Sequence, residues 1–452
     1  MVHVIGGGLA GSEAAWQIAS RGVPATLHEM RPVVRTAVHG TDRLAELVCS
    51  NSFRSDKLDN AVGLLKEELR LLDSLVMRCA DATRVPAGAA LAVDRQRFAD
   101  EVTRSIESQS LITVVREEVR QLPESSDTAP VVIATGPLTS DALSKEIAAL
   151  VGESHLSFYD AISPIVHADT VDRSRIFRAS RWNRSLGSME RAGDGDYLNC
   201  PLSRDEYARF HDELIHAGCA SVHDFDREKF FEGCLPIEVM AHRGPDTLRF
   251  GPMRPVGLVD PRTGRQPYAV VQLRQDDLAG DHLSLVGFQT QLKWGEQARV
   301  LRLIPALAQA EFVRFGMLHR NTYINAPAIL LQTWRFRCRP SLLCAGQLSG
   351  VEGYVESTAS GLIAGRNAAA LARGRPLSAP PRTTAVGALG YYVSHADPLN
   401  YQPTNVTFGI IEPLAASEAR GGSRLARNKA LAERALAELR RWADGEAGED
   451  GP

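Results

Sequence analysis

The pattern of apolar and polar residues is clearest over the first thirty positions of this 452-residue chain. An apolar run at residues 2–5 leads into a glycine-rich turn, and residues 12–21 then place small and aliphatic side chains on one helical face. A second apolar run at residues 25–28 ends at Glu29. The pattern predicts a strand, a helix and a second strand in immediate succession.

The same periodicities predict further elements along the chain. Apolar residues spaced by three or four positions predict helices at residues 60–77, 94–108 and 357–371, and an exposed, charged helix at 417–442. Short apolar runs predict strands at residues 111–115, 119–122 and 131–136, and a buried strand followed by a turn at 341–347. The acidic, glycine-containing residues 443–452 are typical of a disordered tail.

The amino-acid composition changes between residues 137 and 340, where arginines, aromatics and prolines are more frequent than in the rest of the chain. We predict that an α/β substrate domain is inserted there, and that the strand, glycine turn and helix after it return to the first lobe. The predicted division is 1–140 for the first part of the nucleotide-binding domain, 141–339 for the insertion, 340–442 for the second part with a C-terminal helix, and 443–452 for the tail.

Gly6, Gly8 and Gly11 form the pattern G-x-G-x-x-G between the first strand and the first helix. In this context the first glycine makes a tight turn, the second lets the backbone approach a pyrophosphate, and the third lets the helix pack closely on the strand. The helix N-terminus offers free N–H groups to the pyrophosphate. Glu29 lies at the spacing expected of an acid that meets a ribose hydroxyl. The stretch therefore predicts a dinucleotide-binding site.

A later segment indicates which class of dinucleotide-binding protein the chain resembles. The predicted strand at 131–136 ends in Ala-Thr-Gly and is similar to the segment that completes the cofactor lobe in flavoproteins of the glutathione-reductase class. No second glycine fingerprint follows a strand and no C-x-x-x-x-C follows the first helix, which argues against a pyridine-nucleotide disulfide reductase. We predict an α/β fold with a discontinuous, glutathione-reductase-like FAD-binding Rossmann domain. The cofactor-binding candidates are Gly6, Gly8, Gly11, Glu29, Gly346 and Gly353.

Two cysteines lie in segments suited to chemistry. Cys49 is in a polar loop directly after the cofactor-binding unit, where Arg54 and Lys57 are near enough in sequence to favour a thiolate. Cys234 is flanked by glutamates, including Glu238, which disfavour a thiolate unless one of them accepts its proton. For either cysteine, the alternative is a small buried hydrophobic residue.

The insertion contains further binding candidates. Phe231, Trp294 and Tyr323 could stack on a flavin, a pterin or a base, with the protein core as the alternative. Arginines cluster at positions 173, 175, 178, 181, 184 and 191, and at 335, 337 and 339. Solvated surface is the alternative for these clusters. The net charge of −3 means that a polyanionic partner would have to bind such a local patch.

Composition limits the class of protein. Hydrophobic residues make up 44% of the chain and charged residues 23%, as in ordinary globular proteins. No apolar run approaches the roughly 18 residues of a membrane span, and we expect no signal peptide because residue 2 already enters a strand. The seven cysteines are odd in number and include no C-x-x-C, which predicts reduced thiols in the cytoplasm and no metal site.

At its longest motifs the chain resembles the folate- and FAD-dependent tRNA uracil-5-methyltransferases (TrmFO, formerly Gid). The resemblance runs nearly end to end, from the glycine fingerprint to Asn405-Val406-Thr407-Phe408-Gly409. Other matching motifs are Leu-Val-Cys-Ser-Asn-Ser at 47–52, Phe-Glu-Gly-Cys at 231–234, Gln-Leu-Arg-Gln-Asp at 272–276 and Gly-Val-Glu-Gly-Tyr-Val-Glu-Ser at 350–357.

The resemblance implies an enzyme that makes ribothymidine in the T loop of tRNA. Carbon would come from 5,10-methylenetetrahydrofolate and reducing equivalents from FADH2, regenerated by NAD(P)H. Both family cysteines are present and are implied to be catalytic, Cys234 as the nucleophile at C6 of the uracil and Cys49 in protecting the flavin-linked intermediate. The arginine clusters of the insertion would position tRNA phosphates.

The chain differs from the family pattern at some positions, and other functions are alternatives to the one that the resemblance implies. Gln291 stands where the family pattern has histidine, so it is not included among the catalytic candidates. One alternative function is the related wobble-uridine-modifying flavin and folate enzyme (MnmG/GidA-like), a longer protein. Others are a non-catalytic flavin- and RNA-binding relative, and a plain NAD(P)H:flavin oxidoreductase.

Overall fold

The computed structural model describes residues 1–36, 38–152, 156–161, 163–183, 195–219, 235–277, 279–316, 318–399, 401–415 and 423–449; for 156–161, 183, 318–322 and 446–449 it describes the backbone alone. The strands are β1 (Val2–Ile5), β2 (Ala25–Glu29), β3 (Ser52–Ser55), β4 (Arg84–Val85), β5 (Ala90–Val93), β6 (Ile112–Arg116), β7 (Val131–Ile133), β8 (Leu156–Ala161), β9 (Ile165–His167), β10 (Phe177–Arg178), β11 (Leu198–Leu202), β12 (Ala269–Gln275), β13 (His282–Leu285), β14 (Phe312–Arg314), β15 (Leu318–Tyr323) and β16 (Leu342–Cys344). The α-helices are α1 (Leu9–Ser20), α2 (Ala61–Leu71), α3 (Leu75–Ala82), α4 (Arg95–Glu107), α5 (Asp141–Val151), α6 (Arg204–Ile215), α7 (Ile237–His242), α8 (Thr247–Phe250), α9 (Trp294–Leu301), α10 (Ala326–Ile329), α11 (Tyr354–Ala372), α12 (Ala385–His395) and α13 (Arg424–Glu449).

The main sheet has five parallel strands in the order β16–β7–β1–β2–β6. The strands β1, β2, β7 and β16 are buried over nearly their whole length, as expected of a parallel sheet covered on both faces. Helix α11 crosses close to α1, since a Cβ on Gly361 would come within 2.2 Å of the Ala10 carbonyl oxygen. The predicted discontinuous α/β Rossmann fold is confirmed.

The insertion forms a six-stranded antiparallel sheet in the order β10–β11–β12–β13–β9–β14. Strand β12 is buried at every position except its last. Helices α6, α7 and α9 contribute Phe210, Ile237 and Val300 to a hydrophobic core that is separate from the core of the parallel sheet. The insertion therefore folds around a core of its own.

The two cores show which segments pack together. Leu143 and Ile147 of α5 belong to the core of the parallel sheet, as do Tyr323 and Phe336. The core of the insertion takes its buried residues from positions 166–310. The division at residues 141 and 339 stays a prediction, and the packing favours an insertion that is shorter at both ends.

The helix predicted at 60–77 is instead two helices, α2 and α3. Asp73 has a φ of +57°, and the Ser74 hydroxyl caps α3 by accepting from the Met77 N–H. The buried carboxylate of Glu13 on α1 accepts from the Ser74 hydroxyl at 2.8 Å and from the Val76 N–H at 3.0 Å. The prediction of one helix is wrong because a carboxylate from a distant part of the chain fixes a new helix start.

Two further predictions are wrong. Residues 119–122 form no strand, and Val119 lines the cavity described below. Helix α13 continues to Glu449, through residues predicted as a disordered tail, while 450–452 lie outside the described residues. None of the helices in the described part of the chain has the length and hydrophobicity needed to cross a membrane.

Candidate active site

A cavity lies at the carboxyl end of the parallel strands, with about 1110 Å³ of empty space including its open mouth. Its lining includes the fingerprint turn, the end of β2, the loop at 36–48, residues 117–119, the turn after β7, and the returning segment after β16. Ligands of open parallel sheets bind at this edge, where the ends of neighbouring strands leave a crevice. The lining residues that matter below are Gly6, Gly8, Glu29, Val48, Gly346 and Tyr354.

The three fingerprint glycines have different surroundings. Gly6 has a φ of +103°, and a Cβ there would lie 2.6 Å from the Ala134 carbonyl oxygen. A Cβ on Gly11 would lie 1.7 Å from the Gly6 carbonyl oxygen, so helix α1 could not approach β1. A Cβ on Gly8 would meet no atom within 4 Å. Gly6 and Gly11 are therefore required by the fold, whereas Gly8 leaves open space for a ligand.

Helix α1 presents its N-terminus to this space. Gly8 is the N-cap residue, and no side chain caps the helix. The first N–H groups and the positive end of the helix dipole are therefore available to an anion. Together with the open space beside Gly8, this fits the pyrophosphate of a dinucleotide.

Glu29 lies at the end of β2 and is 5% exposed. Its Oε2 accepts from the Gly7 N–H at 2.9 Å, and its Oε1 accepts from Arg31 Nε at 2.8 Å. Burial alone would raise the pKa of this carboxyl, but hydrogen bonds and charge from Arg31 outweigh burial and lower the pKa. The carboxylate stays ionised, as an acceptor of ribose hydroxyls requires.

The two glycines of the returning segment differ. Gly346 lines the cavity with a φ of +75°, and its N–H donates to the Ser360 hydroxyl at 2.7 Å. Gly353 precedes α11 with a φ of +108°, and a Cβ there would meet Glu356 Oε2 at 2.5 Å. Gly353 is not among the cavity residues. A glycine is required at position 353 because of the positive φ and the nearby Glu356 side chain, and no contact with a cofactor is needed to explain it.

Cys49 is not itself a lining residue of the cavity, but it follows the lining residue Val48 in the chain. The N–H groups of Cys49 and Ser50 donate to the Tyr354 hydroxyl at 2.9 and 3.1 Å, and Tyr354 itself lines the cavity. The structure thus connects the backbone of Cys49 to a residue of the cavity that the fingerprint glycines line. The sequence reasoning missed Tyr354, although the matching motif at 350–357 contained it.

The basic residues expected beside Cys49 are not the ones that the structure provides. Arg54 Nη2 contacts both carboxylate oxygens of Glu356, which is fully buried. Glu356 also accepts from the Val406 N–H at 2.9 Å. Arg54 therefore has an anionic partner other than the Cys49 thiol. Two other arginines, Arg95 and Arg274, bond to the Cys49 loop.

The insertion binds this loop directly. From β12, Arg274 Nε donates to Asn51 Oδ1 at 2.9 Å, and Arg274 Nη2 donates to the Ser50 hydroxyl at 2.8 Å. Asn51 Nδ2 donates in turn to the Gln275 carbonyl at 3.0 Å. Arg95 of α4 donates to the Leu47 carbonyl at 2.9 Å. The loop is thus held from both domains.

Cys234 and Phe231 lie outside the described residues. Nearby in sequence, Glu238 is 2% exposed and accepts from the Gln291 N–H at 2.7 Å and from the Thr290 hydroxyl at 2.8 Å. Burial raises the pKa of Glu238, which those hydrogen bonds only partly oppose. Oε1 of Gln291 is buried and has no hydrogen-bond partner among the described residues.

Of the other binding candidates predicted from the sequence, some lie in the protein core and others on the surface. Tyr323 is 7% exposed in the main core, and Trp294 is 60% exposed and stacks on Phe315. Arg173, Arg175 and Arg178 are exposed on the insertion. In contrast, Arg181 donates to Gln272 and to the Arg254 carbonyl, while 184 and 191 lie outside the described residues. No group of three or more metal-ligating side chains occurs in the described ranges.

A parallel Rossmann sheet, a complete fingerprint and a cavity across the strand ends define a dinucleotide-binding flavoprotein of the FAD type. The profile of the family described as "Glucose inhibited division protein A" matches residues 1–376. The methylenetetrahydrofolate–tRNA-(uracil-5-)-methyltransferase TrmFO of Desulforudis audaxviator is 58% identical over 98% of both chains, and that of Moorella thermoacetica is 56% identical over 96% of both. The chain belongs to the Glucose inhibited division protein A family and, within it, to the TrmFO methyltransferases.

A solved structure, that of Aquifex aeolicus GidA in its form II crystal, has the same fold. It superposes with a TM-score of 0.70 at 18% identity, covering 98% of this chain and 73% of the GidA chain. This match supports the Rossmann fold with its insertion. The much higher identity to the TrmFO relatives assigns the chain to that branch of the family, as the sequence motifs predicted.

Proposed function

We propose that the chain methylates C5 of the T-loop uridine of tRNA, with 5,10-methylenetetrahydrofolate as carbon donor and FADH2 as reductant, regenerated by NAD(P)H. The observation that carries the proposal is an FAD-type cavity whose lining residue Tyr354 is hydrogen-bonded to the Cys49 N–H, in a chain 58% identical to a TrmFO relative over nearly its whole length. The reduced thiols of such a mechanism suit a cytoplasmic enzyme.

FAD is the cofactor that the cavity fits. The N-terminus of α1 would hold its pyrophosphate beside Gly8, and the ionised Glu29 would accept its ribose hydroxyls. When bound, reduced FAD supplies the hydride that turns a methylene group into a methyl group. Tyr354, which lines the same cavity, presents an aromatic ring at the site.

The pyrimidine chemistry requires a nucleophile from the protein. C5 of uracil is a weak nucleophile until a group adds to C6 and converts the ring into an enolate, and a cysteine thiolate is suited to this addition. We assign this addition to Cys234, which is within the matching motif Phe-Glu-Gly-Cys. Cys49, whose N–H is bonded to the cavity residue Tyr354, is assigned the auxiliary role beside the flavin.

The exposed arginines of the insertion, Arg173, Arg175 and Arg178, are proposed to contact tRNA phosphates. Phosphate contacts of this kind orient the nucleic acid and make its affinity depend on salt. The T loop is folded, so the target base has to be unstacked before it can reach the cavity.

Incubation of the FAD-loaded protein with NADPH, labelled methylenetetrahydrofolate and unmodified tRNA tests the proposal. We expect label at the T-loop uridine. Absence of label there contradicts the function, and label at the anticodon wobble position instead supports the related wobble-uridine reaction. In the same assay Cys234→Ala should abolish methylation while keeping FAD, whereas normal methylation by that variant would refute the assignment of Cys234 as the C6 nucleophile.

A further inference from the structure

Trp182 is held in an unusual backbone conformation on the surface of the insertion. Its φ is +61° and its ψ is +24°, in the left-handed region that a bulky side chain rarely adopts. The Trp182 N–H donates to the Gly257 carbonyl at 3.1 Å, which helps to hold this conformation. Residues other than glycine are costly in this region and are found mostly at ligand clamps, active sites and switches. The conformation of Trp182 therefore calls for a functional explanation.

The indole ring of Trp182 lies flat on a glycine. A Cβ on Gly257 would lie 2.9 Å from both Cδ2 and Cε2 of the indole and 3.2 Å from its Nε1. The glycine backbone is therefore beneath the middle of the ring rather than at its edge. Trp182 is nevertheless 59% exposed, and no other aromatic ring or guanidinium group stacks on it among the described residues. One face of the indole is thus covered by the glycine, and the opposite face is open.

Positive charge is available on the two segments that meet at this ring. Arg178 ends β10 shortly before Trp182, and Arg254 precedes the segment of the supporting glycine. Both arginines are exposed, and neither forms an ion pair in the described part of the chain. The nearby carboxylate of Asp260 is 4% exposed and pairs with Arg262 Nη2 at 2.7 Å. The surface beside the indole therefore suits an anion.

The same segment is joined to the face of the insertion that meets the Cys49 loop. Arg181, next to Trp182 in the chain, donates from Nε to Gln272 Oε1 on β12 at 3.1 Å. Gln272 and Arg274 are two positions apart on this strand, so both project from the same face of the sheet. Arg274 bonds in turn to Asn51 in the Cys49 loop. A ligand on the open indole face would therefore lie on the side of the insertion that adjoins the cofactor domain.

We propose that the open face of Trp182 stacks on an unpaired base of the tRNA, while Arg178 and Arg254 contact the adjacent phosphates. A flat aromatic face in a positively charged surround is the arrangement that binds single-stranded nucleic acid without reading its sequence. The exposed arginines favour a polyanion over a protein partner. The inference rests on the proposed function and deepens it, because it names the side chain that receives a base of the RNA.

Tryptophan fluorescence of the FAD-loaded protein tests the stacking, in the absence of folate and NADPH. An unmodified tRNA transcript is titrated into the protein, and the emission of Trp182 is taken as the difference between the unchanged protein and Trp182→Phe. We expect tRNA to quench this difference signal, because a base stacked on an indole quenches its emission. Bound tRNA that leaves the difference signal unchanged overturns the proposal.

Replacement of Trp182 separates stacking from a structural role. Trp182→Gly removes the ring and also relieves the backbone, since glycine adopts a positive φ freely. We expect its affinity for tRNA to fall about tenfold or more, with a denaturant midpoint no lower than that of the unchanged protein. Trp182→Phe should keep most of the affinity. Leu399→Ala, at a 92% exposed side chain outside the insertion, is the control and should bind tRNA normally.

The salt dependence of tRNA binding tests the arginines. Arg254→Met should make the slope of log affinity against log salt concentration shallower by about one, because one phosphate contact is lost. Trp182→Gly should leave that slope unchanged, because stacking releases no counterions. Normal tRNA affinity in Trp182→Gly, or an unchanged slope in Arg254→Met, would contradict the part of the proposal that each variant tests.

None of these readouts involves methyl transfer. Quenching of Trp182 by a tRNA that the protein does not methylate would therefore contradict the proposed function alone. Methylation of a tRNA that neither quenches Trp182 nor binds less tightly to Trp182→Gly would contradict this inference alone.

Discussion

At the scale of single residues, the three glycines of the G-x-G-x-x-G motif serve two different purposes: two of them allow close packing within the protein, and one leaves space for a ligand. Gly6 and Gly11 are fixed by contacts within the protein, since a Cβ at either position would strike a carbonyl oxygen. Gly8 has a φ of −73°, which any residue adopts, and it faces open space. The sequence pattern alone could not separate these roles, because they depend on which atoms lie beyond each Cα.

Gly8→Val should therefore impair cofactor binding without impairing folding. The added side chain occupies the space left for the pyrophosphate, so we expect FAD affinity to fall at least about 100-fold with a change in stability under about 1 kcal/mol. Gly11→Ala should instead destabilise the protein by about 1–3 kcal/mol or more, because α1 must move away from β1. FAD titration and denaturant unfolding distinguish the two, and Gly295→Ala, at an open position on α9, is the control.

Other site residues could not be found from the sequence. Tyr354 contacts Cys49 and Ser50 across more than 300 positions of the chain. The catalytic role of Cys49 stays a prediction, and Arg54, its expected basic neighbour, pairs with Glu356. Proximity in sequence gives candidates, whereas tertiary packing selects the partners.

At the scale of elements, the strands of the parallel sheet were predictable because their burial makes them short continuous apolar runs. Helix α4 was predictable as well, with Asp94 as its N-cap. The break between α2 and α3 was not, because its cause is the carboxylate of Glu13 on α1. The sequence therefore predicts elements whose signals are local and misses boundaries that are set by distant side chains.

Glu68 on α2 is a second buried carboxylate that caps a distant helix. Its two oxygens accept from the Ala385 and Val386 N–H groups at the start of α12, each at 2.8 Å. Burial raises the pKa of Glu68 to about 8, and the two hydrogen bonds oppose that shift only in part. The folded protein therefore binds a proton at Glu68 more tightly than the unfolded chain does.

The sign of the pH dependence follows from that difference. As pH rises from the unfolded value of about 4.5 towards 8, the free energy of unfolding should fall by on the order of a few kcal/mol. Glu68→Gln should remove this slope, whereas Glu67→Gln, at a 37% exposed side chain, should retain it. Urea unfolding at a series of pH values measures both. A slope that persists unchanged in Glu68→Gln would show that other groups cause it.

At the scale of the whole molecule, the insertion and the cofactor domain meet at the Cys49 loop. Arg274 of β12 is 7% exposed and joins the insertion to Asn51 and Ser50. Tyr197 adds a second link by donating to the Ala87 carbonyl at 3.0 Å. The domain that is proposed to bind tRNA is therefore bonded directly to the loop at the cofactor cavity.

Arg274→Met should uncouple these two parts. We expect methyl transfer to tRNA to fall at least about tenfold, because the loop loses two hydrogen bonds from a charged donor, while FAD content stays close to normal. Flavin absorbance and labelled-folate assays measure the two quantities. Arg265→Met, at an exposed position on the same domain, should behave like the unchanged protein. Equal loss of FAD and of methyl transfer would instead indicate general unfolding.

The cofactor cavity takes its walls from both ends of the chain, Gly6 to Glu29 at one end and Gly346 to Ser357 at the other. During synthesis, the first βαβ unit leaves the ribosome long before β16 and α11 exist. The insertion, with a core of its own, can fold in the interval. A complete cavity for FAD therefore exists only in a chain that has been translated past Ser357.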